Sequence, residues 1–272
     1  MSLLMSLLAP ILGGLLYGFE RVLRARMQRR VGPPLLQPFY DMLKLMQKRI
    51  VIIHALHIVL GVLHFFILWL TVAMIFFGGN LLYIIFLHLF SLILLVLAGY
   101  SVRSVYSHLG ANRELLAMVA YEPILILVAI GLFLQTGSFE ISTITATQSS
   151  LLQLPLLFLA LLMIIPIKVK KSPFDVTEAH QEIVGGVEVE FSGIFYEFLY
   201  MAKFLDYIFI YSFVYLFAGN SILLGVILVT VSFFVINLID NATARVHTSD
   251  MLKIIYFGAI SMSALNLLWI AL

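Results

Sequence analysis

Residues 54–77, HALHIVLGVLHFFILWLTVAMIFF, and 81–101, LLYIIFLHLFSLILLVLAGYS, contain no Asp, Glu, Lys or Arg. Each is long enough to carry a helix across the hydrocarbon of a bilayer, which takes about 20 apolar residues. Backbone in lipid has no water to bond, so a run of this length satisfies its own N–H and C=O groups as an α-helix. Barrel strands would be about 9–11 residues long and would alternate in polarity. The fold class that follows is all-α, a polytopic membrane protein.

Working outward by the same criterion places spans near 2–19, 54–77, 81–101, 115–135, 151–167, 194–217, 221–239 and 251–271, about eight transmembrane helices. The whole chain, 62% hydrophobic and 11% charged with a mean hydropathy of +1.10, reads as one integral membrane domain over 1–272. A soluble domain carries about 25% charged residues, enough to coat its surface, and this composition excludes one. The run 2–19 could be a signal peptide, but its charge follows the apolar core instead of preceding it, which favours a retained first span. After Pro38, the residues Phe39, Met42, Leu43 and Met46 recur at helical spacing against Asp41, Lys44, Gln47 and Lys48. That pattern predicts a short interfacial helix.

The connections fall into two kinds. Segments 78–80, 135–150 and 219–220 hold no Lys or Arg and a single acid, Glu140. Segments 20–53, 102–114, 168–193 and 240–250, with the first turn of the last span, hold every one of the 16 Lys and Arg residues except Lys203. The positive-inside rule makes the loaded side cytoplasmic and puts both termini outside the cell membrane.

With no cysteine in the sequence, disulfides, thiolate-held zinc and cysteine-held iron–sulfur clusters are excluded on this chain, so a redox centre would sit on a partner. There is no P-loop, dinucleotide fingerprint or nucleophile–base arrangement, and a net charge of +2 gives no footprint for nucleic acid.

Ionisable residues near spans are the candidates for function, because a charge at mid-bilayer costs about 2.5–3.5 kcal/mol on insertion scales. Lys203 and Asp206, at i and i+3, could form a structural pair on one helix face. Alternatively Glu122, Glu190, Glu197, Lys203 and Asp206 form a line of titratable groups suited to relaying protons, Glu190 and Glu197 sharing a face if their helix begins early. The acids of 170–193, among them Glu188, are interleaved with apolar residues such as Val187 and Phe191, which suggests a packed loop where a solvated one would be the simpler reading. His54, His57 and His64 lie within about 80° on a helical wheel. They suit hydrogen bonding between helices, or a proton path, better than a metal site, since no carboxylate or cysteine lies at ligand spacing. The arginines at 21, 24, 26, 29 and 30 exceed what topology needs and suit bidentate contact with acids of a docked protein.

Three segments stand out: Glu20-Arg21 through Arg26, Gln28, Arg30 and Gly32-Pro33 into Leu36-Gln37-Pro38, Asp41 and Lys44; Arg113 with Tyr121-Glu122; and Pro173-Phe174-Asp175, Glu178-Ala179, Glu182, Gly186 and Glu190-Phe191-Ser192-Gly193. Together they resemble one family, the complex I membrane subunit at the foot of the hydrophilic arm (NADH dehydrogenase subunit 1) and its relatives in membrane-bound hydrogenases. Arg245 and Asp250 add a weaker match. The resemblance implies a subunit with no cofactor of its own that docks iron–sulfur and catalytic subunits and couples their chemistry to ion movement. Its acid chain or entrance would comprise Glu122, Asp175, Glu178, Glu182 and Glu190; Glu114 and Glu188 join the expected ion pathway, and Glu197, Lys203 and Asp206 enter on the bottom-up reading. The arm-facing interface or chamber would comprise Arg24, Arg26, Gln28, Arg29, Arg30, Asp41, Arg113 and His180. The short link from Gly32-Pro33-Pro34 to Leu36-Gln37-Pro38, and His180 where quinone-reducing members carry an acid, resemble the hydrogenase branch, which includes formate hydrogenlyase and related sulfur-reducing complexes.

The expected function is therefore a membrane subunit of a hydrogenase-like, ion-translocating oxidoreductase. Its partners would be peripheral hydrogenase-like subunits carrying iron–sulfur clusters and nickel–iron, and other membrane subunits including antiporter-like ones. The alternatives are a purely structural anchor, a quinone-reducing complex I-type subunit and, without support from any inverted repeat, a stand-alone transporter.

Overall fold

The computed structural model describes residues 2–271, without the side chains of His180 and Ala271. The spans are α1 (Ser2–Met27), α3 (Ala55–Phe76), α4 (Leu81–Tyr100), α5 (Val105–Thr136), α7 (Pro155–Lys168), α9 (Ile194–Leu216), α10 (Ile222–Ala242), and a last helix running from α11 (Thr248–Ile254) through a π-helical turn, Ile255–Ile260, into α12 (Ser261–Ala271). Between them lie α2 (Gln37–Met46), α6 (Ile141–Ile144), α8 (His180–Ile183) and a 3-10 turn, Gly186–Glu190. Seven of the apolar helices are long enough to cross a membrane.

The eighth, α7, is not. Its 14 residues span about 21 Å at 1.5 Å per residue, short of the roughly 30 Å of hydrocarbon. The predicted start near 151 fails because 151–153 are turn, and Pro155 opens the helix at the position where its missing N–H costs nothing. Asn266 of α12 accepts hydrogen bonds from Leu156 N and Leu157 N at 2.8 and 3.0 Å, capping α7 from a neighbouring helix. At the other end α7 stops at Lys168, and the chain from Val169 onward turns back into the bundle. Irregular backbone at such depth persists only where protein or a wet cavity surrounds it.

The other boundaries shift toward the charged end. α1 continues to Met27 and α5 begins at Val105, so the expected loops 20–53 and 102–114 give much of their length to helix. Reading spans by apolarity stops at the first charge, but Glu20 and Glu114 are held by cations inside the fold, and helix continues through them. The expected amphipathic helix is present as α2, with Pro38 and Leu45 turned inward.

α9 is the axis of the bundle. Phe204, Phe209 and Phe213 on it and Phe217 at its C-cap are wholly buried, and α1, α2, α3, α7 and α10 pack around it. Gly13 lets α1 approach until its backbone touches the Phe204 carbonyl. Gly110 on α5 meets Gly186 backbone to backbone in the same way, which brings the 3-10 turn against the bundle. Away from the charged end, Gly137 closes α5 in the left-handed conformation, φ 73°, and Asn80 caps α4 through its side chain.

Candidate functional site

The early stop of α7 creates a site. Lys168, Lys170 and Lys171 leave its last turn, where helix carbonyls without partners favour cations. They enter a cavity of about 660 Å³ lined also by Arg24, Gln28, Asp175, Glu178, Lys203, Asp206, Asp240 and Arg245.

On one wall Lys170 lies 2.7 Å from Glu114 of α5 and 3.2 Å from Glu178, while Lys203 of α9 lies 2.7 Å from Glu178 and 2.9 Å from Glu188. Two cations and three carboxylates from α5, α9 and the 169–193 segment form one cluster. Burial acts against the charge on Lys170, but Glu114, Glu178 and Glu188 outweigh it and raise its pKa. Burial likewise acts against the Glu178 carboxylate, and Lys203 and Lys170 outweigh that and hold it well below the usual carboxylate range. For Glu188 burial prevails and its pKa is raised, despite Lys203. Two carboxyls sharing one lysine thus respond in opposite directions, and they titrate as a pair.

Deeper in, Lys168 lies 2.6 Å from Asp206 and within cation–π range of Tyr121 and Phe209. Asp206 is 4.0 Å from His88 Nε2, and His88 Nδ1 is hydrogen-bonded to Glu122 at 2.8 Å. Glu122 lies near the middle of α5, His88 and Asp206 near the middles of α4 and α9, so this string reaches the centre of the bundle. The stack of His88 on Phe209, centroids 4.0 Å apart, closes it there.

The opposite wall holds a second cluster. Glu20 pairs with Lys171 and accepts from the Tyr207 hydroxyl; Asp240 pairs with Arg24 and accepts from Ser172 N at 3.0 Å. Burial is the largest influence on Lys171 and lowers its pKa to about 8, against the pull of Asp240, Glu178 and Asp175. The folded chain therefore binds fewer protons than the unfolded chain between about pH 8 and 10.5, and this group's contribution to stability rises with pH through that window. The pH dependence of the denaturation midpoint should carry an inflection near pH 8 that Lys171→Arg, charged throughout, removes; an unchanged profile would exclude Lys171 as its source.

At the mouth, Arg245 chelates Asp175 at 2.7 and 2.8 Å and reaches Glu182 at 3.3 Å, and Arg113 reaches Glu182 at 2.6 Å. The Arg245 pKa is raised, chiefly by the hydrogen bonds to Asp175.

Most of the expected site converges here: Glu114, Glu122, Asp175, Glu178, Glu182, Glu188, Lys203, Asp206 and Arg113 join these clusters, and Arg24 and Gln28 line the cavity. Arg26, Arg29 and Arg30 are instead exposed at the end of α1. Asp41 faces Arg21 at 2.8 Å and Gln37 at 2.9 Å, away from the cavity; burial works against its charge, and those bonds still lower its pKa. The side chain of His180 lies outside the described residues.

Three expectations are corrected. Lys203 and Asp206 are not partners: Lys203 pairs with Glu178 and Glu188, and Asp206 pairs with Lys168. Glu190 does not share the α9 face of Glu197, because α9 starts at Ile194 and Glu190 ends the 3-10 turn. Glu197 is buried with neither carboxylate oxygen hydrogen-bonded among the described residues. The three histidines divide, His54 being exposed at the N-cap of α3, His57 buried on Phe191 with ring centroids 3.8 Å apart, and His64 bonded to the Ser91 carbonyl at 2.8 Å. Among the described residues no three His, Asp or Glu side chains cluster as metal ligands.

Sequence reasoning passed over Glu20, Lys168, Lys170, Lys171 and Asp240 as site residues. The signal available for the lysines was the short distance from Pro155 to Lys168, too little chain to reach the far side of a membrane.

A polytopic helical membrane protein built around an internal, charge-lined cavity is the class that fold and site define. A profile of the NADH dehydrogenase family matches residues 1–271. An NADH-quinone oxidoreductase subunit of Thermomicrobium roseum is 31% identical over 245 residues, covering 74% of this chain and 72% of the relative. The corresponding protein of Bacillus cytotoxicus is 31% identical over 229 residues, covering 75% and 69%. A chain in the solved structure of the membrane-bound sulfane sulfur reductase, an archaeal respiratory membrane complex, has the same fold, with a TM-score of 0.87 over 99% of this chain and 98% of that one at 23% identity. The chain belongs to the NADH dehydrogenase family, alongside these NADH-quinone oxidoreductase subunits.

Proposed function

We propose that this chain is the coupling subunit of a multi-subunit, ion-translocating oxidoreductase, anchoring the redox arm and passing its chemistry to the membrane as proton or sodium movement through the buried acids. The observation that carries the reading is the succession of charge clusters from the cavity mouth to mid-membrane: Glu182 with Arg245 and Asp175, then Glu178, Lys203 and Glu188, then the deeper string Lys168, Asp206, His88 and Glu122, with acids and bases drawn from different elements. The charged end faces the cytoplasm and both termini face outward, as the distribution of Lys and Arg favours. Partners on that face carry the iron–sulfur centres and nickel–iron, and this chain carries none of its own. The likeness to a sulfur-reducing complex and the short link after Gly32 support the hydrogenase branch over a quinone-reducing one. Neighbours in the membrane include antiporter-like subunits.

Glu122→Gln tests the reading. It keeps the shape and one hydrogen bond to His88 while removing the exchangeable charge. In the complex reconstituted into vesicles, electron transfer should persist while ion uptake per electron falls at least about tenfold. Unchanged uptake at unchanged turnover would leave Glu122 out of the coupling path, and loss of assembly alone would favour a purely structural anchor.

A further inference from the structure

α2 presents two faces. Pro38 and Leu45 face the bundle, Leu45 packing with Tyr200 and Phe204, and Asp41 is turned in to Arg21. The opposite stripe, Leu36, Tyr40, Leu43 and Met46, is exposed, each residue by 47% or more. An extended segment follows in which Ile50, Val51, Ile52 and Ile53 are all more than half exposed, pinned by Ser192, whose hydroxyl accepts from Val51 N at 2.7 Å and donates to Val51 O at 3.0 Å. Four consecutive exposed branched apolar residues are unstable in water.

Depth says what covers them. α2 packs where Gly18 meets the Leu35 carbonyl and Gly14 meets Phe39. Gly18 lies about 13 Å along the axis from the end of α1, and Tyr200 about 9 Å inside the start of α9, at 1.5 Å per residue. The helix is therefore sunk below the ends of the spans, at the level of the bilayer interface. The apolar surface is also continuous with the exposed stripe of α3 at Leu56, Val59 and Leu63, which belongs to a membrane span. Lys44, Lys48 and Arg49 are exposed along its edge, with no ion-pair partner among the described residues, and no acid occurs in the sequence between Asp41 and Glu114.

We infer that α2 and residues 47–53 form a lipid-binding surface that embeds its apolar face among acyl chains and gathers anionic phospholipid headgroups on Lys44, Lys48 and Arg49. Basic side chains at the edge of an inserted amphipathic helix attract anionic lipid with an energy that accumulates per residue and falls off within a Debye length. The inference stands apart from the coupling reading, since it concerns none of the cavity's residues.

The test places a benzophenone amino acid at position 43 of the chain in the intact complex, reconstituted into phosphatidylcholine vesicles containing phosphatidylglycerol. Illumination should give lipid adducts in which phosphatidylglycerol exceeds its share of the bilayer about fivefold, falling to the bulk ratio when Lys44→Gln, Lys48→Gln and Arg49→Gln are combined. A polypeptide adduct would identify a subunit as the occupant and overturn the inference, as would the absence of any adduct. Phosphatidylglycerol at the bulk ratio with the basic residues intact would overturn the headgroup assignment. Glu122→Gln should give the same adducts as the unaltered chain, so failure here and failure of the coupling reading are separable.

Discussion

Lys203→Gln is expected to destabilise the folded chain by about 3–5 kcal/mol and to abolish ion-coupled turnover. Breaking a buried ion pair costs that much because the partner left behind keeps its charge without compensation. Here two partners are left, since Lys203 is within 3 Å of both Glu178 and Glu188. Lys170 partly compensates Glu178, at 3.2 Å, but is 3.9 Å from Glu188, so Glu188 bears most of the loss. The measurement is the denaturation midpoint of the purified complex together with ion uptake per electron in vesicles. Adding Glu188→Gln should restore much of the midpoint without restoring uptake, because neutral partners relieve the unpaired charge but carry no proton. A midpoint that Lys203→Gln leaves in place would mean that the cavity hydrates the carboxylates as well as the lysine does.

The second large effect lies on the far side of α9. Gly13→Val puts an isopropyl group where the backbone of α1 already touches the Phe204 carbonyl, and the neighbour in the way is main chain, which cannot rotate aside. Close approach through a small residue drives helix association in lipid, where no hydrophobic effect distinguishes one apolar surface from another. α1 must then separate from α9 and takes with it the Glu20 carboxylate that neutralises Lys171. Overpacking costs about 1–3 kcal/mol in general, and the stranded buried charges add to that. The expected result is a chain that inserts but is not recovered in assembled complex; Gly13→Ala should give a milder form of the same defect. Normal recovery of Gly13→Val would mean that α1 contributes nothing to the bundle that α10 cannot replace.

The fold was legible where apolar length decides it. α3, α4, α9 and α10 begin and end within about three residues of their predicted bounds, and the amphipathic stretch after Pro38 is a helix. Legibility failed at the charged end, where span reading treats the first ionised residue as the exit from lipid. α1 and α5 contradict this because Glu20 and Glu114 are neutralised by lysines distant in sequence, and long-range pairing leaves no local trace. The site divides along the same line. Acids of the 175–188 stretch were readable by their density and by resemblance, whereas the lysines that organise them looked like ordinary topology signals. Only the early stop of α7, short of a full crossing, turns Lys168, Lys170 and Lys171 inward. The i,i+3 spacing of Lys203 and Asp206 misled for a related reason: proximity on one helix is a weak interaction, and stronger partners were brought to both residues by a folded-back segment.

Seen electrically, the aromatic column of α9 is an insulator. Phe209, Phe213 and Phe217 occupy the bundle beyond Asp206 with no exposed surface, and the first of them seals His88. A charge arriving at Glu122 on the proposed path meets no Asp, Glu, Lys, Arg or His on α9 beyond Asp206. What it transmits meanwhile is a field, and in a poorly screened interior a unit charge still acts with about 1.7 kcal/mol at 10 Å for an effective dielectric of 20. That is more than a tenfold shift in a neighbour's protonation equilibrium. On the proposed coupling reading the chain would work as a capacitor plate, charged by redox chemistry at its charged end and discharged by ion movement in a neighbouring subunit.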